Sequence, residues 1–365
     1  MSVTYVNARI FTGEEILEDH AVSTHQGKII SIMPHAEREA TGNEIDLKGA
    51  LLAPAFMDLQ IYGGNGQVFS LYPSVTALAA TVAYSKGGGA AWIMPTIATI
   101  GRDIMLDAMK AVRAYWEQGG QGVLGLHLEG PFMNPKKKGA HLEQYIHAPT
   151  QEDIDWILEN GRDVVKIMTL APECCDPELV RQLAAAGIVI FAGHSNATYA
   201  QAYTSFDNGI HHATHLFNAM SPLESRAPGI VGAIFDHSRV CASIVADGVH
   251  VDFASIRISK KMMQERLFLI TDAVEENKEG SYVYLREKDR FVSATGVLSG
   301  SCLTMTKAVR NCVEQVGIPL EEALRMASLY PARAIGREQA LGRIAVGYDA
   351  ALVAIDSNWD TTVYC

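Results

Sequence analysis

The chain has no apolar run of the roughly 18 residues that a membrane-spanning helix needs, no excess of basic residues and no paired-cysteine motif. With 30 Lys and Arg against 41 Asp and Glu the formal net charge is -11, which argues against a nucleic-acid or anionic-membrane partner, since both are held by basic stripes. The six cysteines (Cys174, Cys175, Cys241, Cys302, Cys312, Cys365) form no C-x-x-C pair and no disulfide-like spacing, a usage expected in a reducing cytoplasm. Ser2-Val3-Thr4-Tyr5-Val6 alternates like a strand and lacks the charged head and apolar core of a signal peptide, so a cytoplasmic location is expected. Gly63-Gly64-Asn65-Gly66 and Gly87-Gly88-Gly89 lack the lysine of a P-loop and the G-x-G-x-x-G frame. They read as turns.

What is present is an ordinary globular composition, 48% hydrophobic and 19% charged over 365 residues, enough for one large α/β domain and a smaller one. The chain opens with short β segments, Thr4 to Phe11, Ala21 to His25, Lys28 to Met33 and Glu44 to Leu47, punctuated by Gly13, Gly27, Pro34 and Gly49. Near the other end, Leu341 to Ala350 and Ala351 to Ile355 again read as turn-separated strands. A discontinuous small β-sandwich domain, residues 1–50 and 340–365, is therefore expected from the two termini.

Between them, over 51–339, strand, loop and helix alternate eight times. The strands read as Leu51 to Gln60, Ala91 to Thr96, Val123 to Glu129, Val165 to Leu170, Val189 to His194, His211 to Phe217, Ala242 to His250 and Leu267 to Asp272. They are near-continuous apolar runs, as parallel strands buried on both faces should be. Asp176-Pro177 opens one intervening helix and Gly187 closes it, while another runs from Leu303 to Gly317. The size and alternation fit a (β/α)8 TIM-like barrel, with a doubly wound open sheet as the alternative. Ser281 to Leu285 and Arg290 to Val292 read as a hairpin inserted over the barrel mouth.

Polar residues at the carboxyl ends of barrel strands are where this architecture does chemistry. Here four strands end on Glu129, His194, His215 and Asp272. One carboxylate and two imidazoles from separate strands suit zinc and tolerate iron, leaving coordination positions open. Any one of these histidines alone would read as a hydrogen-bonded core residue. Asp272, beside a metal-activated water, is placed to take a proton and give it to a leaving group. His141 leaves the Glu129 strand in a loop that also carries Lys136-Lys137-Lys138, and a site role is expected for the histidine and a solvated face for the lysines. Arg226, in the loop Pro222 to Gly229, could fork onto a phosphate or pair with Glu224.

Six blocks, in order, carry a resemblance: Leu126-His127-Leu128-Glu129-Gly130-Pro131-Phe132, Gly193-His194-Ser195-Asn196-Ala197-Thr198, Thr214-His215-Leu216-Phe217-Asn218-Ala219-Met220, Ala246-Asp247-Gly248-Val249-His250, Thr271-Asp272-Ala273 and Leu298-Ser299-Gly300-Ser301. They resemble the signature blocks of the N-acetylglucosamine-6-phosphate deacetylase family, within the metal-dependent amidohydrolases. The resemblance implies hydrolysis of the N-acetyl group of a 6-phosphorylated amino sugar. It also implies Glu129, His194 and His215 as ligands of one divalent metal, Asp272 as base and then acid, and His141 as the group that polarises the amide carbonyl. Ala140, Asn218, Ala219, Arg226 and His250 resemble the groups that hold sugar and phosphate, with Leu298, Ser299 and Gly300 closing the pocket. An arginine that reaches in from a neighbouring subunit implies a homodimer. Most amidohydrolases carry His-x-His at the end of strand one, where this chain has Gln60-Ile61-Tyr62, so a second metal site is expected to be missing and Gln60 to lie beside water or substrate. The rival readings are N-acetylgalactosamine 6-phosphate or an N-acyl amino acid as substrate, and a non-catalytic relative of the fold.

Overall fold

The computed structural model describes residues 2–38 and 43–365. The amino-terminal strands are β1 (Ser2–Phe11), β2 (Ile16–His25), β3 (Lys28–Pro34), β4 (Glu44–Asp46) and β5 (Leu51–Pro54). The barrel strands follow as β6 (Phe56–Ile61), β7 (Ala90–Ile97), β8 (Leu126–Glu129), β9 (Val165–Leu170), β10 (Val189–Ala192), β11 (His212–Ala213), β12 (Cys241–Val245) and β13 (Leu267–Ile270). Three antiparallel strands come next, β14 (Leu285–Glu287), β15 (Arg290–Val292) and β16 (Leu298–Ser301). The chain closes on β17 (Leu352–Ile355) and β18 (Thr361–Tyr364).

The two termini build one sheet in the order β18-β17-β5-β1-β2-β3, with β4 paired to β1 as a branch. β1 can serve two neighbours on one edge because its first half pairs with β4 and its second half with β5. The sheet wraps on itself around a core of Ile10, Val22, Ile29, Leu52, Ile344 and Leu352. Tyr5 of β1 and Tyr364 of β18 thus meet edge-on with ring centroids 5.1 Å apart, although two strands separate theirs in the sheet order. The strand read as continuous from Leu51 to Gln60 is two strands: Leu51–Pro54 pairs with β17 and β1, and Phe56–Ile61 opens the barrel. Both stretches are wholly buried, so the apolar pattern carries no mark of the change of sheet. Leu341 to Ala350, read as a strand, is a turn-rich segment held by Ile344 N–H to Thr12 C=O (2.9 Å) and Gly347 N–H to Ile29 C=O (2.8 Å).

The eight barrel strands run in sequence order, each parallel to the next. Closure between β13 and β6 excludes the open-sheet alternative: Asp272 N–H donates to Gln60 C=O (3.0 Å) and Tyr62 N–H to Ala273 C=O (2.9 Å). The expected helices form, Pro177–Ala185 with Asp176 as its cap, and Met305–Asn311 continuing through Val316 to Gly317. Thr304 caps the latter, so it begins two residues later than read. The inserted hairpin is present, with its first strand at Leu285–Glu287 instead of Ser281 to Leu285. Among the described residues no helix is long and apolar enough to cross a membrane.

Asp58 holds the barrel seam together. Its Oδ1 accepts from Thr271 N–H (3.1 Å) and Gln60 N–H (3.3 Å), and its Oδ2 from the Thr271 hydroxyl. Burial pushes this carboxyl up from 3.8 to about 7, against those three donors. A carboxyl raised in the folded state contributes stability that is full below about pH 4 and is lost as pH rises through about 7. Asp58→Asn keeps an acceptor for both N–H groups and removes the titration. Urea unfolding at several pH values should therefore show the variant gaining on the wild type between about pH 4 and 7, by up to about 4 kcal/mol for a rise from 3.8 to about 7 at about 1.4 kcal/mol per pKa unit. A difference that does not change with pH would contradict this account of the seam.

Candidate metal centre and active site

Glu129 is the last residue of β8, while His194, His215 and Asp272 each stand two residues beyond the last residue of β10, β11 and β13. That offset corrects the readings that ran these strands through to the polar residue. The three residues have φ of 49°, 34° and 54°, a left-handed backbone that cannot continue a ladder and turns the chain sharply at the barrel mouth. Phe217 (79°) and Ala219 (51°) share it. Such conformations cost of order 1–3 kcal/mol each outside glycine and gather at functional sites.

The side chains converge. Glu129 Oε1 lies 3.2 Å from His194 Nε2 and 3.0 Å from His215 Nε2, and the two imidazole nitrogens are 3.1 Å apart. All three residues are almost sealed from solvent, at 2%, 4% and 4% exposure. His194 Nδ1 faces the carbonyl of Lys137 at 2.9 Å, so this nitrogen carries the proton and donates. Burial holds the His194 imidazole down to about 4, helped by the neighbouring His141. Its Nε2 therefore presents a lone pair to a carboxylate oxygen, a repulsive contact unless a cation stands between them. Burial pulls His215 down, yet Glu129 outweighs it and the imidazole is raised. For Glu129, burial raises the carboxyl but the surrounding histidines, His141 first, draw it well below the usual carboxylate range. A cluster that gathers an ionised carboxylate and two imidazole nitrogens in one dry place fits a divalent metal. The Lys137 carbonyl supplies a hydrogen bond of the kind that fixes the tautomer of a metal-binding histidine.

Glu129, His141 and His194 also offer donor atoms within 4.8 Å of one another, but the tautomer of His141 sets it apart from His194. Thr99 N–H donates to His141 Nδ1 (3.1 Å), so the proton of a neutral ring is on Nε2, which lies 3.1 Å from Glu129 Oε2. His141 is thus a donor aimed into the site, and ligating through Nε2 would require stripping both ring nitrogens.

Asp272 stands beside this cluster with its oxygens in different surroundings. Gln60 Nε2 donates to Oδ1 (2.9 Å), while Oδ2 is 3.9 Å from His250 Nε2. His250 Nδ1 is in turn 2.6 Å from Asp247 Oδ2. Burial raises Asp272, opposed by the positive character of His215. Gln60 is more than a neighbour of water or substrate: the same amide nitrogen also reaches Glu129 Oε1 (3.0 Å) and Tyr62 Oη (2.9 Å), and the Tyr62 hydroxyl donates to Glu129 Oε2. It lies behind the cleft wall.

The cleft above these groups has a volume of about 660 Å³, its open mouth included, and Glu129, His141, His194, His215 and Asp272 form its floor. Ala140, Asn218, Ala219, His250, Leu298, Ser299 and Gly300, all expected at the site, line it. Arg226 does not. It is exposed in its loop, outside the lining, and makes no ion pair with Glu224 among the described residues. Sequence reasoning missed Tyr282 and Tyr284, which line the cleft from the segment before β14. The Tyr282 hydroxyl donates to Thr99 C=O (2.6 Å) and accepts from Leu142 N–H (3.2 Å), pinning that segment to the His141 loop. Two tyrosines in an alternating segment were the only available signal. Lys138 is partly exposed and paired with Glu143 (2.6 Å), as expected of a solvated face.

An eight-stranded parallel barrel with carboxylate and imidazoles at its strand ends is the architecture of metal-dependent hydrolases. The amidohydrolase family pattern matches residues 51–364 and that of the NagA composite domain matches residues 4–52. The chain belongs to the amidohydrolase family. It is 37% identical over 370 residues to the N-acetylglucosamine-6-phosphate deacetylase of Haemophilus influenzae, covering 98% of this chain and 96% of that one. The crystal structure of the N-acetylglucosamine-6-phosphate deacetylase of Pasteurella multocida matches with a TM-score of 0.94 at 36% identity, covering 99% and 97% of the two chains. The N-acetylgalactosamine-6-phosphate deacetylase of Escherichia coli O157:H7 is 34% identical over 364 residues, 96% of this chain and 94% of that one.

Proposed function

We propose that this chain hydrolyses the N-acetyl group of N-acetylglucosamine 6-phosphate to glucosamine 6-phosphate and acetate. It does so in the cytoplasm, with one divalent ion held by Glu129, His194 and His215. Zinc suits an oxygen and two imidazole nitrogens better than ferrous iron does. The observation that carries the reading is the convergence of those three ligand atoms between a carboxylate oxygen of Asp272 and the Nε2–H of His141. A bound divalent ion would activate water and polarise the acetyl carbonyl. Asp272, with Oδ1 tied to Gln60, takes the water's proton on Oδ2 and returns it to the departing nitrogen, since an amine leaves only when protonated. His141, its tautomer set by Thr99, donates from Nε2 to the carbonyl oxygen as charge develops there. Asn218, Ala219, His250 and Ala140 hold sugar hydroxyls and phosphate, and Leu298, Ser299 and Gly300 close over them. Acetate release across a panel of N-acetylglucosamine 6-phosphate, its galactosamine epimer, the unphosphorylated sugars and N-acyl amino acids is the test. Preference for any member other than the first would reassign the substrate, and a purified protein without metal or turnover would favour a non-catalytic relative.

The position of Arg226, exposed and outside its own cleft, supports a homodimer in which it reaches the phosphate of the neighbouring subunit's substrate. Arg226→Ala should then weaken transition-state binding of the phosphorylated sugar by roughly 1.5–3 kcal/mol, the size of a lost charged hydrogen bond. kcat/KM on the phosphorylated and plain sugars reads the difference, and equal losses on the two would mean that Arg226 only shapes its loop.

A further inference from the structure

We propose that Glu173, which lies outside the cleft, is a positioning residue for the His194 metal ligand. Glu173 follows Pro172 in the turn after β9. Its Oε1 accepts from the Asn196 N–H (2.6 Å) and from Asn134 Nδ2 (3.0 Å), and its Oε2 from the Ser195 hydroxyl (2.7 Å). Those three donors come from two other strand-end loops, and both loops are the ones that fix His194. Ser195 and Asn196 follow it directly. Asn134 donates its backbone N–H to the His194 carbonyl (3.0 Å) and stands three residues before Lys137, whose carbonyl orients the His194 ring.

One carboxylate therefore joins the peptide leaving His194 to the loop that holds its Nδ1. The ligand needs such a clamp because its backbone is left-handed at φ 49°, a state that persists only where the surroundings over-determine it. A carboxylate suits the task, since it meets three donors with acceptor oxygens alone and its charge strengthens each bond. Ser195 extends the clamp: its Oγ accepts from Ala197 N–H (3.1 Å) and its N–H donates to Ala219 C=O (3.1 Å), tying in the loop after β11. Loss of Glu173 frees the His194 turn to relax and misaims Nε2.

The inference rests on the reading of Glu129, His194 and His215 as metal ligands, which the wild-type protein tests separately. Zinc affinity is measured on metal-stripped full-length protein by competition with a chromophoric chelator, together with the absorption spectrum of the cobalt-loaded form. Glu173→Ala should weaken zinc binding by about tenfold or more and alter the cobalt spectrum. Glu173→Gln, which keeps a carbonyl oxygen for Asn196 and Asn134, should stay within about threefold of wild type. Ser195→Ala, a smaller lesion that removes one arm of the clamp, should lose about threefold. Wild-type affinity in Ser195→Ala and in any folded Glu173→Ala protein overturns the proposal. So does a fall only in the thermal stability of the metal-free protein, which is what a purely structural contact would give.

Discussion

Asp272→Asn should leave the fold and the metal content intact and lower kcat by about 10²–10⁴-fold or more. Asparagine keeps the size of the side chain and an oxygen for the Gln60 amide, but it offers no basic oxygen where Oδ2 now faces the cleft. Both halves of the proposed proton transfer pass through that atom, so the substitution removes water deprotonation and amine protonation together. Single-turnover kinetics with elemental analysis of the same preparation make the check. Near-wild-type turnover would remove Asp272 from its role, and loss of the metal would show that it acts through the ligands. His250 is the group to watch beside it: with Nδ1 engaged by Asp247 at 2.6 Å, its Nε2 faces the same oxygen at 3.9 Å, close enough to influence Asp272 without replacing it.

The four strand-end residues were legible because a buried strand has few reasons to end on an acid or an imidazole, and four such endings in one α/β pattern reinforce one another. The barrel was legible for the same reason, since the near-continuous apolar runs mark strands covered on both faces. What escaped depends on backbone atoms and on contacts distant in sequence. The Lys137 carbonyl orients His194 although the lysine side chains around it read as solvent-facing. Gln60 looks like a missing histidine in sequence, yet in space its amide nitrogen lies between Glu129, Asp272 and Tyr62, from opposite sides of the barrel seam. The split at Ala55 escaped because both strands are buried throughout. His211 to Phe217 reads as a seven-residue strand, but only His212–Ala213 keeps ladder geometry before the left-handed turn at His215. Hydrophobic pattern reports burial, and burial alone does not say which hydrogen-bond ladder a residue joins.

The metal count follows from what occupies the far side of Glu129. In a dinuclear site the carboxylate's second oxygen and the first strand would face another ion. Here the Tyr62 hydroxyl donates to Glu129 Oε2, His141 Nε2 approaches the same oxygen at 3.1 Å, and the Gln60 amide spans Glu129 and Asp272. These are donors, and a second dication meeting N–H and O–H groups in a dry pocket would be buried without the charge or lone pairs to offset it. One tightly held divalent ion per subunit should therefore support full activity. His194→Ala and His215→Ala should each release it, because two remaining ligands leave a buried ion under-coordinated. Gln60→Ala should keep the ion and lower activity by disturbing Asp272, whose Oδ1 loses its tether. Elemental analysis of active wild type and the three variants decides the matter, and two tightly bound ions per subunit in the active enzyme would mean that the donors around Glu129 rearrange to admit a second metal.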